Sequence, residues 1–272
     1  MSDALAAYAL WRSSWPLGWR WVVRGIEYTR CAEYPLVLSR LAPKPGQRIV
    51  DVGTAPFSLL SLYLPRLIPT LVAIDIDPYI AQFHANARKL HPGSAVFGTR
   101  QDARRLGMKS ESFDGALAVS SIEHIPESGD VAAIREIARV IKPGSRAVVS
   151  VPWATSAGEE WVDESETRAV LPEAGLSALR RRPAGRKVFF QRRYDDEALH
   201  ERLIRPSGLR LVDIDYFGER RPLLLPLLRR RTPLAKALTN WLNPFLASAT
   251  LTALPQASHD TAEGAVITLA KD

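Results

Sequence analysis

The sequence predicts an α/β fold built on a parallel sheet. An apolar run ends at Gly53, a helical spacing of apolar residues follows Pro56, and the chain then returns to a second apolar run. The same alternation continues, with predicted strands at residues 48–52, 71–75, 95–99, 113–119 and 146–151. Strands that alternate with amphipathic helices form parallel sheets through right-handed crossovers, and these sheets bind ligands at the carboxyl ends of their strands. We therefore expect functional residues directly after the strands.

The composition is that of a folded globular protein with one substantial core. The 272 residues are 46% hydrophobic and 24% charged, and the net charge is +7. Residues 180–231 alone contain fifteen Lys or Arg and seven Asp or Glu, so the positive charge is concentrated there. Such a region attracts nucleic acid, anionic lipid or an acidic substrate, or is simply a solvated face. With no signal-like start and no apolar run of spanning length, the sequence predicts a cytoplasmic location, with membrane association as an addition.

The first acidic candidate for ligand binding is Asp75. It ends the second predicted strand, 24 residues after Asp51, where a carboxylate can accept hydrogen bonds from both hydroxyls of a ribose. The turn 53–58 keeps only the first glycine of the pattern that binds a pyrophosphate. The sequence therefore disfavours pyrophosphate binding and leaves open a ligand that contains adenosine but no phosphates.

Four short motifs carry a resemblance to a known family. They are Asp51-Val52-Gly53, Ala73-Ile74-Asp75-Ile76-Asp77-Pro78, Gln101-Asp102-Ala103 and Ser112-Phe113-Asp114-Gly115. In this order and spacing, over roughly residues 45–152, the chain resembles the class I S-adenosylmethionine-dependent methyltransferases of the type 11 kind. The resemblance implies a doubly wound, mostly parallel seven-stranded sheet with an antiparallel last strand, a helical N-terminal segment and insertions.

The resemblance also implies S-adenosyl-L-methionine as the cofactor and a set of residues around it. Its methionine end would lie near Asp51, Val52, Gly53, Thr54 and Ala55. Asp75 and Ile76 would hold the ribose, Asp102 and Ala103 the adenine, and Ser120 would lie on the turn after strand four. Ala55 and Phe57 replace later glycines of the family loop.

Two residues on that turn are candidates for catalysis. His124 is the predicted base, since its ordinary pKa lies near neutrality, and Glu123 would orient it. The alternative is that the pair shapes the turn or contacts the cofactor. We predict no metal site, because two adjacent residues on one turn supply too few ligands.

We predict a helical cap over residues 1–44 and a methyltransferase domain over 45–272, with insertions at about 152–190 and 218–264. The tryptophan-rich and leucine/arginine-rich stretches predict either a lid or peripheral contact with an anionic membrane through residues 1–24 and 220–250. The predicted acceptor is a small or lipid-linked metabolite methylated at oxygen. The alternatives are an RNA or other nucleic-acid methyltransferase that uses the basic region 180–231, and a non-catalytic cofactor-binding protein.

Overall fold

The computed structural model describes residues 3–163, 187–219, 240–254 and 261–272. Its central sheet has eight strands: β1 (Arg48–Val52), β2 (Thr70–Asp75), β3 (Ala95–Arg100), β4 (Phe113–Val119), β5 (Ile141–Pro152), β8 (Arg210–Glu219), β9 (Leu251–Leu254) and β10 (Ala262–Ala270). Strands β6 (Gly158–Asp163) and β7 (Lys187–Arg193) pair as a separate antiparallel sheet.

The strand order in the main sheet is β3-β2-β1-β4-β5-β10-β8-β9. Strands β1 to β5 pair in parallel, while β10 is antiparallel to both β5 and β8. The predicted seven-stranded, mostly parallel sheet with an antiparallel last strand is thus confirmed. The structure adds an eighth strand at one edge, because β9 pairs antiparallel with β8.

Helices cover both faces of the sheet. They are α1 (Asp3–Ser13), α2 (Trp19–Arg24), α3 (Arg30–Leu41), α4 (Leu59–Tyr63), α5 (Ile80–Leu90), α6 (Gly129–Val140), α7 (Asp196–Leu199), α8 (Arg205–Ser207) and α9 (Asn243–Thr250). Short 3-10 segments lie at Trp15–Leu17, Leu64–Arg66, Ile122–His124 and Asn240–Leu242, and a π-helical turn at His200–Ile204.

Alternation along the strands divides the core into two apolar clusters. Ile49 and Leu71 pack with α1, α3, α4 and α5, whereas Val50 and Val72 pack with α6 and α7. Because successive strand residues point to opposite faces, these clusters are the two sides of one doubly wound sheet.

The N-terminal helices differ in one respect from those that the sequence predicts. The predicted break near Pro16 and Gly18 is present, since a 3-10 segment separates α1 from α2. The helix predicted from Gly25, however, begins at Arg30. Gly25 itself has a φ of +66°, which lies outside the right-handed helical region.

Several predictions fall on parts of the chain outside the described residues. These are residues 164–186 of the first insertion, residues 220–239 and 255–260 of the second, and residues 180–186 and 220–231 of the basic region. The division between residues 44 and 45 stays a prediction. Among the helices that the structure describes, none is long and apolar enough to span a membrane.

Candidate active site

The carboxyl ends of β1, β2 and β3 are joined by backbone hydrogen bonds. The N–H groups of Gly53 and Thr54 donate to the carbonyl oxygen of Ile74 at 2.8 and 2.9 Å, and Gln101 N–H donates to Asp75 O at 2.9 Å. The residues of the predicted cofactor site on these three strands therefore lie along one edge of the sheet.

Asp51 is almost fully buried, at 2% exposure, beneath the turn that follows β1. Its Oδ2 accepts hydrogen bonds from the hydroxyls of Thr54 and Ser61. Burial raises the pKa of Asp51 to about 6, although both hydrogen bonds act in the opposite direction. The carboxylate thus links the turn to α4 through these two hydrogen bonds. Its contact with a cofactor stays a prediction.

Gly53 is required by its backbone and by a close neighbour. Its φ is +82°, and a Cβ added there would lie 2.3 Å from the Cβ of Ser121. Ser121 is in turn fixed by a 2.8 Å hydrogen bond from its hydroxyl to the carbonyl oxygen of Val52. The turns after β1 and β4 therefore touch, while Ala55 lies exposed beyond them.

Asp75 lies half-buried at the end of β2. Its Oδ1 accepts a 2.7 Å hydrogen bond from Asp77 N–H, and among the described residues no side chain donates to its carboxylate. Burial raises the pKa of Asp75 to about 6. Ile76, the next residue, is 43% exposed. This carboxylate keeps the acceptor capacity that a ribose requires.

Asp102 is held differently, because Arg104 binds both of its carboxylate oxygens. Arg104 Nη2 donates to Oδ2 at 2.6 Å, and Arg104 N–H donates to Oδ1 at 2.9 Å. This interaction holds the pKa of Asp102 below its usual range. An adenine amino group at Asp102 would share the carboxylate with Arg104, and Ala103 beside it packs against the apolar core.

Ser120 occupies a strained position that a buried network stabilises. Its φ is +45°, and its hydroxyl donates to Glu33 Oε1 at 2.8 Å. Ser150 donates to the same oxygen at 2.6 Å, and Arg30 pairs with Glu33 while donating to Ser120 Oγ at 2.6 Å. Helix α3 therefore supports the turn after β4 through a carboxylate that is 1% exposed.

Glu123 is a buried carboxyl group without a full set of partners. It is 1% exposed, and its Oε2 has no hydrogen-bond partner in the part of the chain that the structure describes. Burial raises the pKa of Glu123 to about 8. At neutral pH its predominant form is therefore the uncharged acid.

His124 lines a cavity, and its one described hydrogen bond fixes the tautomer of its ring. Its Nδ1 lies 2.7 Å from the carbonyl oxygen of Phe190, and because a carbonyl can only accept, Nδ1 carries the hydrogen. Burial lowers the pKa of His124, so Nε2 is unprotonated at neutral pH. Nε2 lies 3.8 Å from Glu123 Oε1. A neutral imidazole in this tautomer can accept a proton at Nε2.

A cavity of about 590 Å³ opens beside this imidazole at the carboxyl ends of β4 and β5. Its lining includes Glu27, Arg30, Glu123 and His124, and strand β7 contributes Phe190, Gln191 and Arg193. A volume of this size holds a small organic molecule.

Arg193 is a cavity residue that the sequence did not indicate. Its Nε is buried without a hydrogen-bond partner among the described residues. The residue opposite on β6 is Gly158, which has no side chain to cover it. Arg192, the residue before it on the strand, by contrast pairs with Asp130 and Glu159.

The predicted site residues thus divide between two neighbouring places. Gly53, Asp75 and Asp102 lie along the edge formed by β1, β2 and β3, whereas Ser120, Glu123 and His124 border the cavity. Within the described ranges, no three His, Cys, Asp or Glu side chains are grouped so as to hold a metal ion.

Comparison with known proteins identifies the central part of the chain. A family model described as a methyltransferase domain matches residues 50–149. An O-methyltransferase from Pyrenophora dematioidea is 34% identical over 114 residues, which are 40% of this chain and 41% of that protein. The match therefore spans about two fifths of this relative.

Solved structures share the fold at low sequence identity. The [4+2]-cyclase SpnF superposes with a TM-score of 0.56 at 21% identity, over 88% of this chain and 80% of that one. Geranyl diphosphate C-methyltransferase from Streptomyces coelicolor A3(2), in complex with Mg²⁺, geranyl diphosphate and S-adenosyl-L-homocysteine, gives 0.54 at 11% identity, over 89% and 77%. The resemblance drawn from the sequence motifs is confirmed: the chain carries a methyltransferase domain at residues 50–149, within the class I S-adenosylmethionine-dependent methyltransferase fold.

Proposed function

We propose that this protein is an S-adenosylmethionine-dependent methyltransferase that acts on an oxygen of a small or lipid-like metabolite. The observation that carries the proposal is the tautomer of His124: this residue lines the cavity, and the hydrogen bond from its Nδ1 to Phe190 leaves Nε2 as the nitrogen that can accept a proton. The similarity to an O-methyltransferase supports oxygen as the acceptor atom.

The described residues fit the cofactor best at its ribose. Asp75 keeps a half-buried carboxylate with no side-chain donor bound to it among the described residues, so two ribose hydroxyls can donate to it. Gly53 keeps the backbone close to the turn after β4, and Asp102 offers its carboxylate to the adenine in competition with Arg104.

When bound, S-adenosylmethionine supplies a methyl group already activated by the sulfonium. The protein must then align the acceptor oxygen in line with the carbon–sulfur bond and exclude water. His124 Nε2 would accept the proton of the acceptor hydroxyl as that oxygen takes the methyl group. The backbone carbonyl of Phe190 holds the ring in the tautomer that this transfer requires.

The uncharged Glu123 and Arg193, whose Nε has no hydrogen-bond partner among the described residues, suit particular groups on the acceptor. A protonated Glu123 can donate a hydrogen bond to an acceptor oxygen. Arg193 would bind a carboxylate or phosphate of the acceptor, which would supply the hydrogen-bond partner that its buried Nε lacks. Arg193 follows Phe190 by three residues, so this group would lie about 10 Å along β7 from the imidazole.

Cofactor binding is tested by calorimetric titration of the purified chain with S-adenosylmethionine and S-adenosylhomocysteine. We expect saturable binding that Asp75→Ala abolishes and that Asp77→Ala, two residues away and partly buried, largely preserves. The cofactor assignment fails if the intact chain binds neither compound.

The base is tested with acceptors that carry a hydroxyl, using product mass as the readout. We expect His124→Gln to lower the rate constant of methyl transfer about 100-fold. His200→Gln, which changes an exposed histidine in the π-helical turn, should leave the rate unchanged. Near-full turnover by His124→Gln would exclude the imidazole as the base.

A second candidate function is supported by one observation, which is that a protein named a [4+2]-cyclase has this fold. The same fold can therefore serve a reaction other than methyl transfer. Tight cofactor binding together with no methylated product from any hydroxylated acceptor would favour this candidate. Any stoichiometric methylation would exclude it.

A further inference from the structure

Two helical segments from opposite ends of the chain join to form one surface. Asn240, at the start of its 3-10 segment, donates from Nδ2 to the carbonyl oxygen of Arg24 at 2.9 Å. Asn243 donates to the carbonyl oxygen of Ile26 at 2.8 Å. Gly25 permits this approach, since a Cβ there would lie 2.6 Å from the Cβ of Asn240. Helix α2 and the segment leading into α9 are thus fixed side by side.

Both segments bury one side and expose large apolar side chains on the other. On α2, Trp21 is 8% exposed, while Trp19 and Val23 are 70% and 43% exposed. Trp241 and Phe245, four residues apart on the second segment, are 50% and 59% exposed. Trp19 and Val23 are also four residues apart, so each pair lies on one side of its segment. We call the three exposed rings, together with the Val23 side chain, the aromatic surface.

Within the two segments themselves, the charged residues have a single sign. Residues 4–26 and 240–254 contain three arginines and neither Asp nor Glu. The Arg20 guanidinium lies 5.8 Å from the Trp19 ring, and that of Arg24 lies 4.2 Å from the ring of Phe57. Tryptophan beside arginine is typical of a surface that enters the headgroup region of an anionic bilayer.

We propose that the aromatic surface, together with Arg20 and Arg24, binds peripherally to membranes that contain anionic lipid. The exposed rings would enter the boundary between headgroups and acyl chains, and the guanidinium groups would pair with lipid phosphates. This inference goes beyond methyl transfer and does not depend on it.

The position of the surface relates it to the acceptor cavity. Glu27, three residues beyond α2, lines the cavity, and Phe57 lies on the turn after β1 with its ring 5.5 Å from that of Trp21. Helix α2 therefore lies near the carboxyl edge of the sheet, where both predicted ligands would bind.

The test is flotation of the full chain with vesicles of phosphatidylcholine alone or with about 30 mol% phosphatidylserine. We expect binding to the anionic vesicles, weaker binding as salt rises, and little binding to the neutral ones. Arg20→Gln and Arg24→Gln should each weaken binding about fivefold, which corresponds to about 1 kcal/mol for each arginine at the membrane surface.

The apolar contribution is tested by the double variant Trp19→Ser and Phe245→Ser, which should weaken vesicle binding at least ~10-fold. The matched control is Phe97→Ser, since Phe97 is 49% exposed on the edge strand β3 and lies outside the surface. Circular dichroism establishes that each variant is folded.

The proposal is overturned if the chain does not bind anionic vesicles, or if the double variant binds them with the same affinity as the unchanged chain. Light scattering distinguishes the competing occupant, a second copy of the chain. A dimer that the double variant dissociates, combined with no vesicle binding, would assign the surface to self-association instead.

Discussion

Replacement of Glu123 by Gln should make the protein relatively more stable as the pH rises. The Glu123 side chain is 1% exposed, and burial raises its pKa from 4.5 to about 8. A carboxyl group whose folded pKa is raised contributes stability that is complete below its unfolded pKa and is lost as the pH rises through its folded pKa. Gln has nearly the same shape and cannot ionise, so its contribution does not change with pH.

The magnitude follows from the two pKa values. One pKa unit corresponds to about 1.4 kcal/mol, and the full shift of Glu123 therefore amounts to about 5 kcal/mol. Most of this energy is lost between about pH 5 and about pH 9, because Glu123 ionises over that interval in the folded protein. The free energy of unfolding of the Gln variant, measured relative to the unchanged protein, should accordingly rise by about 4 kcal/mol.

The assay is urea unfolding of both proteins at several pH values, followed by tryptophan fluorescence. Glu136→Gln is a control of opposite sign, because the hydrogen bond from Arg139 lowers the pKa of Glu136. That glutamate contributes stability above its unfolded pKa, and its replacement should cost least at acidic pH. The prediction compares the free energies of unfolding of the Glu123 variant and the unchanged protein. If the difference between them changes by less than about 1 kcal/mol from pH 5 to pH 9, the reasoning is refuted.

Three further predictions concern binding and packing. Asp75→Asn should weaken S-adenosylmethionine binding at least about tenfold by calorimetry. The affinity of the unchanged protein should decrease when the pH is lowered below about 6, because protonation of Asp75 removes an acceptor for the ribose. Constancy of that affinity down to pH ~5 would contradict the second part. Gly53→Ala should destabilise the protein by at least about 2 kcal/mol in urea unfolding, and Ser121→Gly in the same chain should recover part of the loss, because the two side chains would otherwise collide. Arg193→Gln should raise KM for an acidic acceptor about tenfold with little change in kcat, whereas Arg205→Gln, whose side chain is 75% exposed, should change neither; equal KM values for both variants would argue against an anion at Arg193.

The fold was largely predictable because its signals are local. The apolar run that contains Val50 and the one that contains Val72 are buried on both faces, so they are apolar almost throughout, as central parallel strands require. Turn residues such as Gly53 mark where each strand ends. Strand β9 was not predicted, because its only described strand partner, β8, precedes it by more than thirty residues and its four residues carry no strand pattern of their own.

The site was predictable only in part, because its connections are distant in sequence. Asp75 was predicted from its position at the end of a strand and Asp102 from the resemblance to the family, and both assignments stay predictions. Glu33 lies 87 residues before Ser120, and no local pattern indicates that a carboxylate on one predicted helix will receive that hydroxyl. The group that orients His124 is the backbone carbonyl of Phe190, which every residue type possesses, so the sequence could not indicate it.

The network around Glu33 joins the lining of the cavity to the turn that carries His124. Arg30 and Glu33 both line the cavity, and both bind Ser120. A substitution that displaced α3 would therefore break these bonds together and release Ser120 from its left-handed conformation. The shape of the cavity and the backbone of the turn that precedes His124 thus depend on the same three side chains.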